Sequence, residues 1–122
     1  MSNEMWKSEA PSIFLALFFS NGGPLSIPNI ISTVDYLNHS VPNREELEEG
    51  LNILFAVGLI EQKDDKFRIP EKQFQAYAAF KKKKRLKRFA ALEKYFTDLP
   101  HIAGIPKTVS ISGKEYNGYL DA

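Results

Sequence analysis

The segment from Asn43 to Leu59 constrains the fold more than any other part of the chain. Asn43 is a strong helix N-cap, and Glu46 three residues later completes the pattern of a capping box. An apolar stripe follows at spacings of three and four, formed by Leu47, Leu51, Leu54 and Phe55. Gly58 stands where a helix ends in a left-handed residue, after which Leu59 folds back onto Leu54. These signals predict a helix that ends just before Gly58 and packs through one face.

Two further helices are predicted before this segment. The first runs from about Ser8 to Ser20, and its run Ile13–Phe19 is apolar all round, which is typical of a central, buried helix. A buried strand is the rival interpretation of such a short run. The second helix begins near Ser26 and ends near residues 38–40. Its apolar stripe consists of Ile27, Ile30, Ile31, Val34 and Leu37.

A hairpin and a long helix are predicted after the third helix. Leu59–Gln62 and Lys66–Ile69 read as short strands, and two aspartates lie in the turn between them. Glu71–Phe96 then reads as one long helix that is apolar at both ends and charged in the middle. Such a helix either crosses solvent in its middle or breaks into two.

The last part of the chain, residues 100–122, is a tail punctuated by proline and glycine. Thr108–Ser112 alternates between polar and apolar residues, which predicts a strand. Glu115–Leu120 could pair with this strand across a short turn. The tail is therefore expected to hold one or two short strands.

The order of these elements resembles the winged helix-turn-helix family. The resemblance covers about residues 8–80. It is carried by residues 43–69, whose leucine stripe, Gly-Leu-Ile exit and tight charged hairpin are similar to the third helix and wing of such domains. It implies a three-helix core closed by a small antiparallel sheet, and a role like that of transcription regulators, many of which place the third helix in the DNA major groove. We therefore expect a mainly helical α+β chain: a winged-helix core in residues 1–80, a basic continuation of the last helix in 81–99, and the tail.

Composition argues against catalysis. The chain has 122 residues with no cysteine and two histidines, which excludes a disulfide scaffold, a thiol nucleophile and a cysteine zinc site. Asp35 and His39 could share a helix face as metal ligands, but no third ligand is evident. We expect a protein that is not an enzyme, with no metal, cofactor or small-molecule substrate. A cytoplasmic location is expected, and a membrane partner is not, because Ile13–Phe19 falls far short of the roughly 20 apolar residues of a membrane span.

Charge is distributed unevenly along the chain. Residues 1–80 carry 11 acidic and 6 basic side chains, whereas residues 81–122 carry 4 acidic and 10 basic ones. Most of the positive charge lies in the basic segment, residues 81–88, which contains Lys81, Lys82, Lys83, Lys84, Arg85, Lys87 and Arg88. A polyanion would relieve the repulsion within this segment, so the leading hypothesis is weak DNA binding through phosphate contacts, with little sequence specificity. The alternative that residues 81–88 are only a solvent-exposed helix segment has about the same weight as DNA binding. An acidic protein surface or an anionic membrane face would also relieve the repulsion between the basic side chains.

The alternative hypothesis is a scaffold for protein interaction or dimerisation. The third helix exposes four glutamates beside Arg44 and Asn52, and these carboxylates would repel DNA phosphates, so we do not expect this helix to read bases. The same acidic face could contact a protein. The candidate interaction residues are Glu45, Glu48 and Glu49 on the third helix and Phe89, Leu92 and Phe96 on the last helix. The residues on the last helix could form a homodimer contact, or they could cover the tail.

Overall fold

The computed structural model describes residues 8–84, 87–99 and 104–121. In this part of the chain the protein is mainly helical with a small three-stranded antiparallel sheet, so the α+β prediction is confirmed. The helices are α1 (Ala10–Phe19), α2 (Ile27–Asn38), α3 (Arg44–Ala56), α4 (Glu71–Lys84), α5 (Arg88–Thr97) and α6 (Gly113–Leu120). The strands are β1 (Leu25–Ser26), β2 (Glu61–Lys63) and β3 (Lys66–Arg68).

Both ends of α3 follow the predicted signals. The Asn43 side chain accepts the Glu46 main-chain N–H at 2.8 Å, and the Glu46 carboxylate accepts the Asn43 N–H at 2.9 Å. At the other end Gly58 has φ +76°, and the Leu59 N–H donates to the Leu54 carbonyl at 2.9 Å. This is a Schellman ending, which satisfies carbonyls that the last turn would otherwise leave unpaired.

The sheet has the strand order β1-β3-β2. The predicted hairpin is confirmed, although its ladder is shorter than expected, and Asp64 supplies the left-handed residue of the turn with φ +58°. The third strand, β1, was not predicted, because two residues carry no readable periodicity. Its residue Leu25 pairs with Phe67, whose ring is 1% exposed. The hairpin is thus fixed to the segment between α1 and α2 as well as to α3.

Helix α1 is the centre of the core, as predicted, and the strand interpretation of its apolar run is wrong. Residues 13–17 are all buried, and α1 packs against both α2 and α3. The contact with α3 is close at Gly50. A Cβ atom at this position would lie 2.6 Å from Ile13 Cδ1 and 3.1 Å from the Ala10 nitrogen. Glycine therefore sets the distance between the two helices.

A second side of α1 packs against aromatic rings from α4 and α5. The ring centroid of Tyr77 lies 5.1 Å from that of Phe14, 4.8 Å from that of Phe18 and 4.9 Å from that of Tyr95, in edge-to-face contacts. Phe74, Phe80 and Phe96 belong to the same cluster. These rings therefore pack with one another and with α1.

Two alternatives are open for residues 71–96 in the sequence, a helix that crosses solvent in its middle and a helix that breaks into two, and the structure has the second. Helix α4 ends at Lys84, and Lys87 is extended, with ψ 162°, at the start of α5. A straight helix of this length would span roughly 39 Å, which would keep its two apolar ends apart. The break lets Tyr77 and Phe96 both contact Phe14, and it falls where the basic charges repel one another.

The tail does not form strands in its described residues. Residues 108–112 belong to no helix or strand, and Gly113–Leu120 is the helix α6 instead of a second strand. A capping box starts α6: the Ser112 hydroxyl accepts the Glu115 N–H at 3.1 Å, and the Glu115 carboxylate accepts the Ser112 N–H at 3.0 Å. Across the described ranges, no helix has both the length and the apolar character needed to cross a membrane.

Candidate functional site

One face of α3 binds the main chain of the tail. Arg44, Glu48 and Asn52 are spaced by four residues and so share this face, which we name the α3 clasp. Their polar atoms contact residues 107–111, which we name the clasped segment. Because most of these contacts go to main-chain groups, the clasp holds an extended backbone as a neighbouring β-strand would.

Asn52 makes the most deeply buried of these contacts. Its side-chain amide donates to the Val109 carbonyl at 3.0 Å, and its carbonyl oxygen accepts the Val109 N–H at 2.6 Å. Asn52 is 6% exposed and Val109 is 8% exposed. The pair therefore satisfies four polar groups that burial would otherwise leave without water or a partner.

Glu48 holds the next part of the clasped segment. Its carboxylate accepts the Ile111 N–H at 2.7 Å and forms ion pairs with Lys107 at 3.2 Å and with Arg44 at 3.4 Å. The Ile111 N–H, followed by Lys107 and Arg44, lowers the pKa of the Glu48 carboxyl below its ordinary value. The charged carboxylate is thus the form that binds the tail.

Arg44 completes the clasp at its N-terminal end. Its guanidinium donates to the Ile111 carbonyl at 3.0 Å, so Ile111 has both main-chain groups bound by α3 side chains. The Ile111 side chain is 3% exposed. The two apolar residues of the clasped segment, Val109 and Ile111, therefore enter the core while their backbone is held by polar groups.

Helix α6 and a cavity border the clasped segment. The Tyr116 hydroxyl donates to the Pro42 carbonyl, which ties α6 to the loop before α3. No residue of α6 is fully buried. A cavity of about 290 Å³ remains between the clasped segment, the start of α2 and the hairpin, with Ile27, Phe67 and Tyr119 among its lining residues. The clasped segment thus forms one wall of this half-open pocket.

The candidate interaction residues on α3 do not act as one group. Glu45 and Glu49 are exposed, whereas the Glu48 side chain is 13% exposed and is engaged by the clasped segment. The chain's own tail covers Asn52 and most of Glu48, and it binds the Arg44 guanidinium. Base reading by the clasp residues is therefore blocked in this arrangement.

The candidate residues on α5 are also divided. Leu92 and Phe96 are buried, and the Phe96 ring lies 5.7 Å from that of Phe14. Phe89 is 55% exposed. A dimer contact that uses all three side chains does not fit this structure, because two of them already belong to the core.

The basic segment lies on different elements from the clasp. Lys81 is half-buried, with its ammonium 5.8 Å from the centre of the Phe18 ring, a cation–π contact. Lys82, Lys83 and Lys87 are exposed, and no ion pair reaches them from the described residues. The rest of the segment falls outside the described residues: Arg85 and the side chains of Lys84 and Arg88.

A metal site has no support in the described ranges, which hold no cluster of three or more potential ligands. His39, weighed as a ligand together with Asp35, is exposed and ends α2 with φ +57°. The role of His39 in the structure is that of a left-handed helix C-cap.

Comparison with known proteins finds no protein similar to this chain. No protein-family model matches the chain, and neither the curated proteins nor the solved structures searched give a match. The function is therefore argued from the surfaces themselves.

The sequence analysis missed the clasp. The sequence predicts Asn52 as an exposed residue of α3 and Val109 and Ile111 as part of a strand, and it gives Lys107 no role. One signal was present: Asn52 interrupts the apolar run from Leu51 to Phe55. A buried amide of this kind needs partners, and nothing in the local sequence shows that they come from the tail.

Proposed function

We propose that this chain is a non-enzymatic binding module of the winged-helix type that contacts nucleic acid through phosphate groups, at the basic end of α4. The order helix, strand, helix, helix and hairpin, with the hairpin paired to the strand after α1, supports the winged-helix assignment. The resulting role is like that of a transcription regulator in the cytoplasm, with contacts that position the protein without reading sequence.

The observation that carries this proposal is the exposure of the Lys82 and Lys83 side chains. Both side chains are exposed at the end of α4 and have no acidic partner among the described residues. Lys81 packs on Phe18, and Tyr77 anchors the preceding turn of α4 in the core. The two lysines thus extend from a fixed helix, with Lys87 beyond the break as a third exposed ammonium.

Phosphate contacts of this kind make affinity strongly dependent on salt. Each phosphate that is neutralised on duplex DNA contributes about 0.9 to the slope of log affinity against log salt concentration. Helix α3 adds no attraction, since Glu45 and Glu49 are exposed acids and the clasp is covered. We therefore expect similar affinities for unrelated DNA sequences.

A salt series on a fluorescent duplex tests the proposal, with the full chain compared with a Lys82→Gln/Lys83→Gln variant. The control is Lys72→Gln/Lys114→Gln, which removes the same charge from two exposed lysines outside the basic segment. We expect the first variant to bind more weakly and to reduce the slope by about 2, while the control stays close to the parent. Equal losses in the two variants, or no binding by the parent at low salt, would refute the proposal.

A further inference from the structure

Phe89 is a large aromatic side chain that the core leaves in solvent. Its side chain is 55% exposed, and among the described residues no other ring contacts it. The remaining aromatic side chains of α4 and α5 all lie in ring clusters: Phe74, Tyr77, Phe80, Tyr95 and Phe96. Because Leu92 and Phe96 are buried, the core already uses the apolar face of α5. Within the described residues of α5, Phe89 alone among the large apolar side chains is exposed.

Phe89 also lies beside exposed positive charge. Lys87 is exposed two positions earlier, and Cα atoms at this separation lie within about 7 Å of each other. Lys82 and Lys83 are exposed at the end of α4, and only three residues join that helix to the start of α5. The sequence has no acidic residue between Glu71 and Glu93. The exposed ring therefore belongs to a part of the chain that attracts polyanions.

We propose that Phe89 stacks on an unpaired base, so that the end of α4 and the start of α5 bind single-stranded nucleic acid in preference to duplex. This inference rests on the proposed phosphate contacts and names the form of nucleic acid that they serve. In a duplex each base face is covered by its neighbours, so the ring has nothing to stack on. In a single strand, one sugar joins each base to its phosphate, so Phe89 and Lys87 can contact the same nucleotide. Cations combined with an aromatic ring bind single strands without reading sequence.

An anionic membrane is a poorer partner for this surface. Helices that lie on membranes offer a broad apolar face to the lipid. Helix α5 has no such face in solvent, because Leu92 and Phe96 are buried and Glu93 is exposed on the same helix. One exposed ring matches one base, whereas a lipid layer requires several apolar side chains.

The variant Phe89→Ala tests the inference when single-strand and duplex affinities are compared. The probes are a fluorescent deoxythymidine oligomer of about 16 nucleotides and a duplex of the same length, each titrated across a salt series. We expect the parent to favour the single strand. Phe89→Ala should lower single-strand affinity at least about fivefold, the effect of losing one stacked base, and should change duplex affinity less than about twofold.

Three further variants separate stacking from charge and from general loss of a ring. Phe89→Tyr keeps an aromatic ring and should keep the parent affinity. Tyr36→Ala removes a side chain that is 69% exposed on α2 and should change single-strand affinity less than about twofold. Lys82→Gln/Lys83→Gln should reduce the salt slope by about 0.7 for each lost phosphate contact on a single strand, whereas Phe89→Ala should leave the slope unchanged.

Tryptophan fluorescence reports the stacking itself. Phe89→Trp should show quenching on addition of unlabelled oligomer that exceeds the change of the parent, whose single tryptophan is Trp6. Tyr36→Trp should show no such excess. A Phe89→Trp signal that does not change at saturating oligomer would contradict stacking at this position.

The outcomes distinguish this inference from the proposed function. Salt-dependent binding that Lys82→Gln/Lys83→Gln weakens and Phe89→Ala does not would overturn the stacking inference and leave the phosphate contacts in place. No binding of either probe by the parent would overturn both. A loss in Phe89→Ala that is confined to vesicles of anionic lipid would assign the ring to a membrane and overturn the inference.

Discussion

The side-chain amide of Asn52 pairs with both main-chain polar groups of Val109, a residue 57 positions later in the chain. This pairing turns one face of α3 into a binding site for the protein's own tail. It also removes that face from any role in reading DNA, because the clasp residues are covered. The phosphate contacts that we propose therefore fall to the basic end of α4, apart from this face of α3.

Replacement of Asn52 should destabilise the fold. Asn52→Ala leaves the buried N–H and carbonyl of Val109 without partners, and each buried group left unpaired costs about 1–3 kcal/mol. We expect the free energy of unfolding in urea to fall by at least about 1 kcal/mol. Asn117→Ala, at an exposed position in α6, should change it by less than about 0.5 kcal/mol. Equal effects of the two changes would show that the Asn52 contact is absent in solution.

Acid should release the tail through Glu48. The pKa of this carboxyl is lowered in the docked state, mainly by the Ile111 N–H, so the free tail state binds more protons in acid. The contribution of Glu48 is therefore complete above its ordinary pKa of 4.5 and is lost as the pH falls through the lowered value. We expect the Ile111 amide resonance to move toward its free-chain position over this range.

The variant Glu48→Gln separates this effect from other acid titrations. Glu115 also has a lowered pKa, because its carboxylate accepts the Ser112 N–H, so α6 contributes an acid response in the same direction. Glu48→Gln should remove only the response centred on Ile111. A full acid response of Ile111 in Glu48→Gln would assign the effect to α6 instead.

Gly50 should tolerate no added side chain. In Gly50→Ala the new methyl meets main-chain atoms of α1 at 3.1 and 3.2 Å, so the two helices must separate. Such overpacking costs about 1–3 kcal/mol, against a helix-propensity gain of about 1 kcal/mol, so a net loss of about 1 kcal/mol is expected in thermal or urea unfolding. Gly118→Ala, which has open space around it in α6, should be neutral or stabilising. A stabilised Gly50→Ala would show that the close approach of α1 and α3 is wrong.

The Tyr77 hydroxyl should be dispensable for stability. It is buried without a hydrogen-bond partner in the described part of the chain, and burial raises the pKa of Tyr77 to about 12. Tyr77→Phe removes an unsatisfied polar group, so the free energy of unfolding should stay constant or rise by up to about 1 kcal/mol. Tyr116→Phe removes the bond to Pro42 and should cost about 0.5–1.5 kcal/mol. The reverse order of the two effects would contradict the placement of Tyr77.

Sequence signals that act between neighbouring residues, such as helix caps, predict much of the fold. They do not predict the α3 clasp, whose residues are far apart in the sequence. The bounds of α3 were readable because Asn43, Glu46 and Gly58 act within one turn of the residues they cap. The sequence does not decide whether the helix over residues 71–96 breaks, since the choice depends on where Tyr77 and Phe96 meet Phe14. Such a contact joins distant parts of the sequence and leaves no local pattern.

The alternation of polar and apolar residues in Thr108–Ser112 is real, but the strand that it predicts is absent from the described residues. Val109 and Ile111 do face the core, as their alternation indicates, but their backbone partners are side chains of α3 and not a second strand. The residues after Ser112 form a helix, and the Ser112–Glu115 capping box was visible in the sequence. Gly113 and Gly118 weaken the helix signal of the residues after it, since glycine is more typical of turns than of helix interiors.

Amide hydrogen exchange at Val109 and Ile111 in the folded parent chain tests the clasp most directly. If Asn52 and Glu48 hold these two N–H groups, both amides should exchange at least tenfold more slowly than in a free peptide of residues 105–112. Asn52→Ala should remove the protection of Val109, and Glu49→Ala should not. Exchange of both amides at free-peptide rates in the folded parent chain would contradict the clasp, and with it the conclusion that the tail covers α3.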